Sequence, residues 1–260
     1  MEYDYESFKK DIYAITSIDL SSYKERQMKR RIDTFIDKRN LGNYKEFVGN
    51  LKVNPILLDD FVNYLTINVS NFYRNPEQWQ YLEEKVIPTL LSKFGHGIKI
   101  WSAACSTGDE PYSLVMLLSK FLPLNQIKII ATDIDEQVME KAKLGIYDNN
   151  SLHALPEEFL EKYFTRITPS SYQISSDIKK CVEFRKHNLL EDEYIKNCHM
   201  IVCRNVLIYF TDEAKREIYK KFNESLVREG VLFVGSTEQI TNYKELNYIS
   251  PKAFFYEKKS

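Results

Sequence analysis

One segment, Ile98–Leu118, constrains the fold more than any other, because a strand, a tight turn and a helix are predicted there in direct succession. The apolar run Ile98–Ala104 predicts a buried strand, and the small and polar residues of Cys105–Glu110 predict a turn. Pro111 suits the first turn of a helix, where a missing N–H costs no hydrogen bond. Such a unit opens nucleotide-binding α/β sheets, in which the helix N-terminus faces the ligand.

The turn in this segment lacks the glycine patterns that bind polyphosphates. Gly108 is its only glycine, whereas the dinucleotide fingerprint needs three, and no Gly-Lys-Ser/Thr sequence is present. Glu110 places a negative charge where a pyrophosphate would bind. A ligand with a cationic or zwitterionic end, such as S-adenosylmethionine (SAM), fits this turn better. The simpler interpretation, an ordinary strand-turn-helix unit with an exposed glutamate, stays open at this point.

The composition excludes several classes of protein. The 260 residues are 43% hydrophobic and 28% charged with a net charge of −1, which is typical of soluble globular proteins and gives no global attraction for nucleic acid. No apolar run is long enough for membrane insertion, and the N-terminus does not resemble a signal peptide. The cysteines and histidines are scattered without a CxxC pair, so we expect a reduced, cytoplasmic protein with no metal site.

Residues 1–75 are predicted to form an all-α domain, because apolar residues recur three or four positions apart without a strand pattern. Its longest predicted helix, Tyr23–Arg39, is strongly basic. The basic residues are Lys24, Arg26, Lys29, Arg30, Arg31, Lys38 and Arg39, and the acidic ones are Glu25, Asp33 and Asp37. A solvated face has this pattern, and so does a docking surface for an acidic partner.

Residues 76–260 are predicted to form an α/β domain, since strand and helix patterns alternate along them. Asp133 follows a second strand, Ile127–Ile134, at the position where an acidic residue accepts hydrogen bonds from a ribose, and Asp135 is predicted to cap the next helix. A small antiparallel β-subdomain is predicted at about 155–184, with strands near Tyr172–Ile174 and Cys181–Phe184. The layout predicts a class I SAM-dependent methyltransferase (Rossmann-like) sheet.

Six segments occur in one order along the chain: TINVSNFYR, SAACSTGDEPYSL, ATDID, FRKHNLL, IVCRNVLIYF and FVGSTEQI. Together they resemble the chemotaxis receptor methyltransferases, the CheR family, from about residue 1 to residue 260. The resemblance implies SAM-dependent methyl esterification of glutamates on the cytoplasmic helices of chemoreceptors, with S-adenosylhomocysteine as the product. It also implies an all-α N-terminal domain, a SAM-binding α/β domain and a small inserted β-subdomain.

The resemblance also implies the site residues. The cofactor contacts fall on Asn68, Ser70, Arg74, Ala104, Glu110, Asp133, Asn188, Leu189, Cys203, Arg204 and Asn205. Arg74 and Tyr209 would lie near the transferred methyl, with Arg74 orienting the substrate carboxylate. A glutamate with a free pKa of about 4.3 is already ionised at neutral pH, so no general base is required. The simpler alternative, in which Arg74 caps a helix and Tyr209 fills core, stays open.

The expected partner is an acidic receptor helix, docked by the basic helix of the N-terminal domain. Family members that bind a receptor pentapeptide have a glycine-containing loop where this chain has Arg166–Ile174, which contains no glycine, so we expect no such tether. We also expect a monomeric enzyme. Two other functions remain possible from the sequence. One is a methyltransferase for nucleic acid or a small molecule, and the other is a SAM-binding regulatory module without turnover.

Overall fold

The structure, a computed structural model, describes residues 3–260, and the chain divides into two compact units. Unit 1 is Met1–Asn68 with Val206–Ile218, and unit 2 is Val69–Asn205 with Tyr219–Ser260. Among the described residues, no helix is both long enough and apolar enough to cross a lipid bilayer. The predicted domain bounds, at residue 75 and at about 155 and 184, remain predictions.

Unit 1 is helical. Its N-terminal helices are α1 (Tyr5–Thr16), α2 (Glu25–Arg39), α3 (Tyr44–Val53) and α4 (Pro55–Thr66). Side chains cap the helix starts: Asn43 accepts the N–H of Glu46 at 3.1 Å while the Glu46 carboxylate accepts the N–H of Asn43 at 3.0 Å. The core between the helices is aromatic, and its fully buried rings are Phe8, Phe35, Phe47 and Phe61.

The basic helix α2 begins two residues later than the sequence predicts. Tyr23 is extended, forms a β-bridge with Phe210 and stacks on its ring at 4.5 Å, so it cannot join the helix. The N–H of Lys24 then donates to the carbonyl of Tyr209 at 2.9 Å. The predicted apolar face of α2 is confirmed, since Met28, Ile32, Phe35 and Ile36 are all buried. These contacts fix the start of α2 against the Leu207–Tyr209 turn.

Unit 2 contains two sheets. Its strands are β1 (Ile100–Ala103), β2 (Ile129–Asp133), β3 (Ile146–Asp148), β4 (Phe164–Thr168), β5 (Ser171–Ile174), β6 (Val182–Lys186), β7 (Cys198–Cys203), β8 (Leu226–Val234), β9 (Tyr248–Lys252) and β10 (Phe255–Lys258). Its helices are α5 (Pro76–Tyr81), α6 (Ile87–Phe94), α7 (Asp109–Leu118), α8 (Glu136–Leu144), α9 (Asn149–Leu152), α10 (Glu157–Tyr163) and α11 (Ser176–Lys179), and α12 (Asp212–Ser225) begins in unit 1 and ends in unit 2.

The larger sheet has the order β6-β2-β1-β7-β8-β10-β9. The first five of these strands are parallel, and β10 and β9 are antiparallel to their neighbours. All residues of β1 are buried, because strands flank it on both sides and α7 packs beside it. The chain runs outward from β1 to β2 and β6, and then returns to β7 on the other side. Such a reversal leaves a crevice for ligands at the carboxyl ends of the strands.

The smaller sheet is antiparallel, with the order β3-β5-β4. One predicted strand does not belong to it. The segment predicted at Cys181–Phe184 is β6, which pairs in parallel with β2, from Val182 opposite Ile129 to Lys186 opposite Asp133. Its apolar residues, among them the partly buried Phe184, pack against the main core. Burial of these apolar residues favours pairing of β6 with β2 at the edge of the larger sheet.

Candidate active site

The turn between β1 and α7 has an unusual backbone. Ala104, Ser106 and Gly108 have φ values of 58°, 49° and 86°, in the left-handed region. The N–H of Gly108 donates to the carbonyl of Cys105 at 3.0 Å, and this bond closes the turn. A Cβ at Gly108 would come within 2.8 Å of the Cβ of Ala142, so only glycine fits there. The turn therefore has one specified shape at the carboxyl end of β1.

Asp133 ends β2 beside this turn. One carboxylate oxygen accepts the N–H of Ser106 at 2.8 Å, and the other accepts the N–H of Asp135 at 3.0 Å. Burial raises the pKa of Asp133 to about 6. The N–H of Ile134 is a third backbone donor to this carboxylate, which has about four lone-pair sites, so a ribose hydroxyl can still donate to it. Asp135 accepts the N–H of Gln137 at 3.0 Å, which confirms its predicted role as a helix cap.

Glu110 is not the exposed side chain of an ordinary turn, because only 12% of it is accessible to solvent. One carboxylate oxygen accepts the hydroxyl of Ser102 at 2.8 Å, and the other lies 3.8 Å from a guanidinium nitrogen of Arg204. Burial raises the pKa of Glu110 to about 7, although Arg204 and Ser102 act in the opposite direction. A buried carboxylate of this kind favours a second cation next to it.

Arg204, which follows β7, connects the end of that strand to the start of unit 2. Its Nη2 donates to the carbonyl of Arg74 at 2.6 Å, to Asn75 Oδ1 at 3.1 Å and to Gln78 Oε1 at 2.9 Å. The guanidinium also lies 4.7 Å above the ring of Phe233. The side chain is 3% exposed, and burial lowers its pKa. The Arg204 side chain is thus fixed by hydrogen bonds and a ring contact within unit 2.

The segment around Arg74 is also held in place. Its neighbours Tyr73 and Asn75 have φ values of 51° and 63°, and the N–H of Tyr73 donates to Ser113 on α7 at 3.2 Å. The guanidinium of Arg74 is half-buried and donates to the carbonyl of Val69 at 3.1 Å, outside the helices. The Arg74 guanidinium is partly exposed and acts on the Glu110 carboxylate, so it can also bind a second carboxylate.

Three further predicted residues lie nearby in sequence or space. Ser70 hydrogen-bonds the buried carboxylate of Asp109, whose pKa burial raises to about 6. Asn188 and Leu189 follow β6, and the adjacent N–H of His187 donates to the carbonyl of Asp133 at 2.9 Å. The Asn188 side chain accepts the N–H of Leu190 at 3.0 Å, so this loop is fixed beside the end of β2.

Two predicted residues, Asn68 and Tyr209, belong to unit 1. Asn68 donates to the hydroxyl of Thr66 at 2.8 Å. Tyr209 is half-buried and does not fill core, because it lines a cavity of about 220 Å³. The other lining residues are Lys24, Gln27, Met28, Arg30, Arg31 and Ile67. The cavity is therefore basic and reaches Tyr209.

Two families of known domains match this chain. The "CheR methyltransferase, SAM binding domain" matches residues 68–254, and the "CheR methyltransferase, all-alpha domain" matches residues 3–66. The chain belongs to the CheR methyltransferase family. The chemotaxis protein methyltransferase of Listeria monocytogenes is 42% identical over 99% of this chain and 98% of its own length. That of Listeria innocua is also 42% identical, over 99% and 98%, and that of Borreliella burgdorferi is 31% identical, over 94% and 91%.

These matches confirm the predicted family, the fold class and a SAM-dependent methyltransferase activity in chemotaxis. The roles of individual residues in this CheR protein remain predictions. The structure does bring most of them together, because they follow the carboxyl ends of adjacent strands. They are Ala104 and Glu110 after β1, Asp133 in β2, Asn188 and Leu189 after β6, Cys203 at the end of β7, and Arg204 and Asn205 after it.

Residues that sequence reasoning missed also contact this site. Gln78 and Asn75 hold Arg204, and nothing in the sequence marks them as its partners. Glu238 is 5% exposed and accepts the N–H of Asn205 at 2.5 Å. Its position in the segment FVGSTEQI is the signal that could have found it, since that segment contributes to the resemblance although none of its residues is assigned a role.

Proposed function

We propose that this CheR protein transfers the methyl group of SAM to glutamate side chains of bacterial chemoreceptors and forms glutamate methyl esters in chemotaxis adaptation. The observation that carries the proposal is the match of both CheR domains, over residues 3–66 and 68–254. The similarity to the chemotaxis protein methyltransferases of Listeria monocytogenes and Borreliella burgdorferi supports a chemoreceptor as the substrate.

The residues at the carboxyl edge of the sheet fit SAM. Asp133 would accept hydrogen bonds from the ribose, since its oxygens keep free lone pairs. Glu110 would face the cationic part of the cofactor, because a buried carboxylate is stabilised by an added positive charge. Ala104 would approach the cofactor through its backbone, and Asn188, Leu189 and the Cys203–Asn205 turn would flank the adenine.

When bound, SAM supplies a methyl group made electrophilic by the sulfonium. The protein then has to orient the glutamate oxygen and exclude water, because the carboxylate is already ionised. Arg74 would hold the substrate carboxylate by a charge-assisted hydrogen bond and leave the attacking oxygen free. Tyr209 would offer its hydroxyl at the reaction centre. Asn68 and Ser70 would contact the cofactor, as the family resemblance implies.

Receptor helices that carry methylatable glutamates are acidic, and we propose that they dock on α2. Arg26, Lys29 and Arg30 are exposed on this helix, and Lys24 is exposed directly before it. Arg31 differs, since its guanidinium lies 4.5 Å above the ring of Tyr64 and donates to the Tyr64 carbonyl. The exposed charge that lines the Tyr209 cavity therefore comes from Lys24 and Arg30, with Arg31 fixed at its wall.

The hairpin of β4 and β5 supports the proposal that no receptor pentapeptide is tethered. Only Pro169 and Ser170 separate the two strands, and the guanidinium of Arg166 donates to the carbonyl of Pro169 at 2.7 Å. The arginine thus closes the turn where other family members have a glycine-containing loop. We further propose that the enzyme is cytoplasmic, because its substrate helices are cytoplasmic, and that it is monomeric.

The test is methyl transfer from radiolabelled SAM to receptor-rich membranes, followed by mild alkali. Release of the label as methanol is expected, because a methyl ester is cleaved by alkali and an N-methyl group is not. Label that resists alkali, or that appears in nucleic acid or small molecules, would support another methyltransferase. SAM binding without any transfer would indicate a regulatory module. Arg74→Ala is the matched control and should abolish most of the label.

A further inference from the structure

Glu238 is a buried acidic residue with no part in the proposed chemistry. It lies four residues after the end of β8, in the segment FVGSTEQI, and is 5% exposed. Its N–H donates to the carbonyl of Gly235 at 3.0 Å, so the chain turns back directly after the strand. A buried carboxylate is costly unless hydrogen bonds compensate for lost water. The groups that donate hydrogen bonds to the Glu238 carboxylate therefore indicate its structural role.

Two backbone N–H groups donate to the same oxygen, Oε2. They belong to Gly235, at 2.9 Å, and to Asn205, at 2.5 Å. Asn205 has a φ of 62°, a left-handed conformation that costs energy for a residue with a side chain. A charge-assisted hydrogen bond compensates for part of that cost and fixes the direction of the peptide between Arg204 and Asn205.

Gly235 is part of the same arrangement. A Cβ at this position would lie 2.6 Å from Glu238 Oε2 and 2.8 Å from the N of Asn205. Both distances are too short for real atoms, so only glycine allows the carboxylate to reach the Asn205 N–H. The charge of Glu238 also acts on the neighbouring Arg204 and Glu110, whose pKa values it raises.

We propose that Glu238 is a positioning residue for the SAM site, whose carboxylate holds the Arg204–Asn205 turn in the conformation that receives the cofactor. The inference rests on the proposed function, since it assumes that this turn contacts SAM. Glu238 itself does not need to touch the cofactor. Its effect on the turn passes through the hydrogen bond to the N–H of Asn205.

Three variants perturb that bond by different routes. Glu238→Ala removes the acceptor, and Glu238→Gln keeps an oxygen acceptor without the charge. Gly235→Ala leaves Glu238 intact but forces its carboxylate away from Asn205. Two controls match them. Asn223→Ala removes another buried side chain of unit 2, which donates to the carbonyl of Asn247 at 3.2 Å, and Gly97→Ala adds a Cβ with nothing within 4 Å.

The readouts are the SAM and S-adenosylhomocysteine dissociation constants by calorimetry, measured well below each melting temperature. Glu238→Ala and Gly235→Ala should each raise both constants by about tenfold or more, which is the effect of losing a hydrogen bond to a charged group. Glu238→Gln should give an intermediate value because the acceptor remains. Asn223→Ala should lower the melting temperature without changing either constant, and Gly97→Ala should change neither quantity.

A folded Glu238→Ala protein with wild-type SAM affinity would overturn the proposal. So would a Gly235→Ala protein that loses no more affinity than Gly97→Ala. If Glu238→Ala does not fold, the SAM affinities of Gly235→Ala and Glu238→Gln test the proposal instead. Wild-type affinity in both folded variants would overturn it. The proposed function is tested separately by the wild-type protein. Tight SAM binding with no alkali-labile label would reject the proposed reaction but would leave the role of Glu238 to the affinity measurements.

Discussion

Charged side chains have opposite environments in the two units. In unit 2, Arg204 and Glu238 are buried, the Glu110 side chain is only 12% exposed, and each of the three is held by hydrogen bonds. In unit 1, Arg30 on α2 and Lys24 directly before it are exposed. A buried charge left without its partner is strongly destabilising, whereas an exposed ion pair is worth little and is screened by salt. The buried set can therefore fix the shape of a cofactor site, and the exposed set can recognise a partner reversibly.

The largest effect is expected from Arg204, at the centre of the buried set. Arg204→Ala would leave the Glu110 charge and three hydrogen-bond acceptors without their partner. The free energy of unfolding should fall by about 3–5 kcal/mol, as for other broken buried pairs. Urea denaturation measures this loss. Arg204→Lys should not restore it, because an ammonium cannot reach several acceptors in one plane.

The control for Arg204 is an exposed ion pair of the same unit. Lys186 lies 2.8 Å from Glu136, and both side chains are more than half exposed, at 59% and 66%. Lys186→Ala should change the free energy of unfolding by less than about 1 kcal/mol. Equal losses for the two variants would mean that the buried set has no special energetic role, and the comparison would fail.

The next effect is a pH dependence. The folded pKa of Glu110 is about 7, above its ordinary value of 4.5, so the folded state binds more protons than the unfolded state between these values. Stability from this group should be fully present below about pH 4.5 and be lost as pH rises through 7, on the order of 3 kcal/mol in total. Glutamine at position 110 does not titrate. The free energy of unfolding of Glu110→Gln, measured by urea denaturation, should therefore rise relative to that of the wild type as pH increases across that interval. Parallel curves would contradict the prediction.

Arg74 is expected to matter for rate more than for stability. Its side chain is half-buried and makes one hydrogen bond, to the Val69 carbonyl, while its backbone is held independently by Arg204. Arg74→Ala should therefore lower kcat by about a hundredfold, the cost of a misplaced reacting group. The melting temperature should change little. Wild-type turnover in this variant would exclude the orienting role, and Tyr209→Phe tests the tyrosine hydroxyl separately.

Asp133 is expected to act on cofactor affinity. Asp133→Ala should weaken SAM binding by about 2 kcal/mol, within the range for hydrogen bonds to a charged group. Asp135→Ala is the matched control, because it removes only a helix cap, worth about 1 kcal/mol of stability, and should leave SAM affinity unchanged. Calorimetry that finds the same affinity for a folded Asp133→Ala protein would remove Asp133 from the site.

Much of this architecture could be predicted from the sequence because its signals are local. The buried strand before Cys105, the glycine in the following turn and the acidic residue at the end of β2 are all adjacent in the chain to what they position. The cap at Asp135 is likewise a contact across two residues. Local patterns of this kind report backbone conformation directly.

The rest depends on contacts between distant residues. The pairing of Tyr23 with Phe210 shortens α2, and pairing with β2 places β6 in the larger sheet. The same is true of Arg204, whose partners lie about 130 positions earlier in the chain. Periodicity cannot show such partners, and no spacing rule relates Glu238 to Asn205. The family resemblance pointed to the site residues, but not to the residues that hold them in position.

The smallest effect is expected from the exposed basic residues Lys24 and Arg30. Their removal should change receptor binding and leave SAM binding unchanged. Lys24 and Arg30 line the Tyr209 cavity, whereas Arg26 and Lys38 are exposed on the same helix outside it. Lys29 and Arg31 are poorer targets, since each covers a tyrosine ring of unit 1. Lys24→Gln with Arg30→Gln should raise the receptor KM by about threefold to tenfold at low salt, the combined value of two exposed charge interactions, and leave SAM affinity intact.

The double variant Arg26→Gln with Lys38→Gln removes the same charge from the same helix and is its matched control. If the cavity recognises the receptor, the control should change KM less than the cavity variant does. An equal rise in both would mean that only the net charge of α2 attracts the receptor. Added salt should reduce the difference, since exposed charges more than about 10 Å apart are screened at 0.1 M. A receptor KM that neither variant alters at low salt would show that the receptor docks elsewhere, and the contrast between the two sets of charges would then concern stability alone.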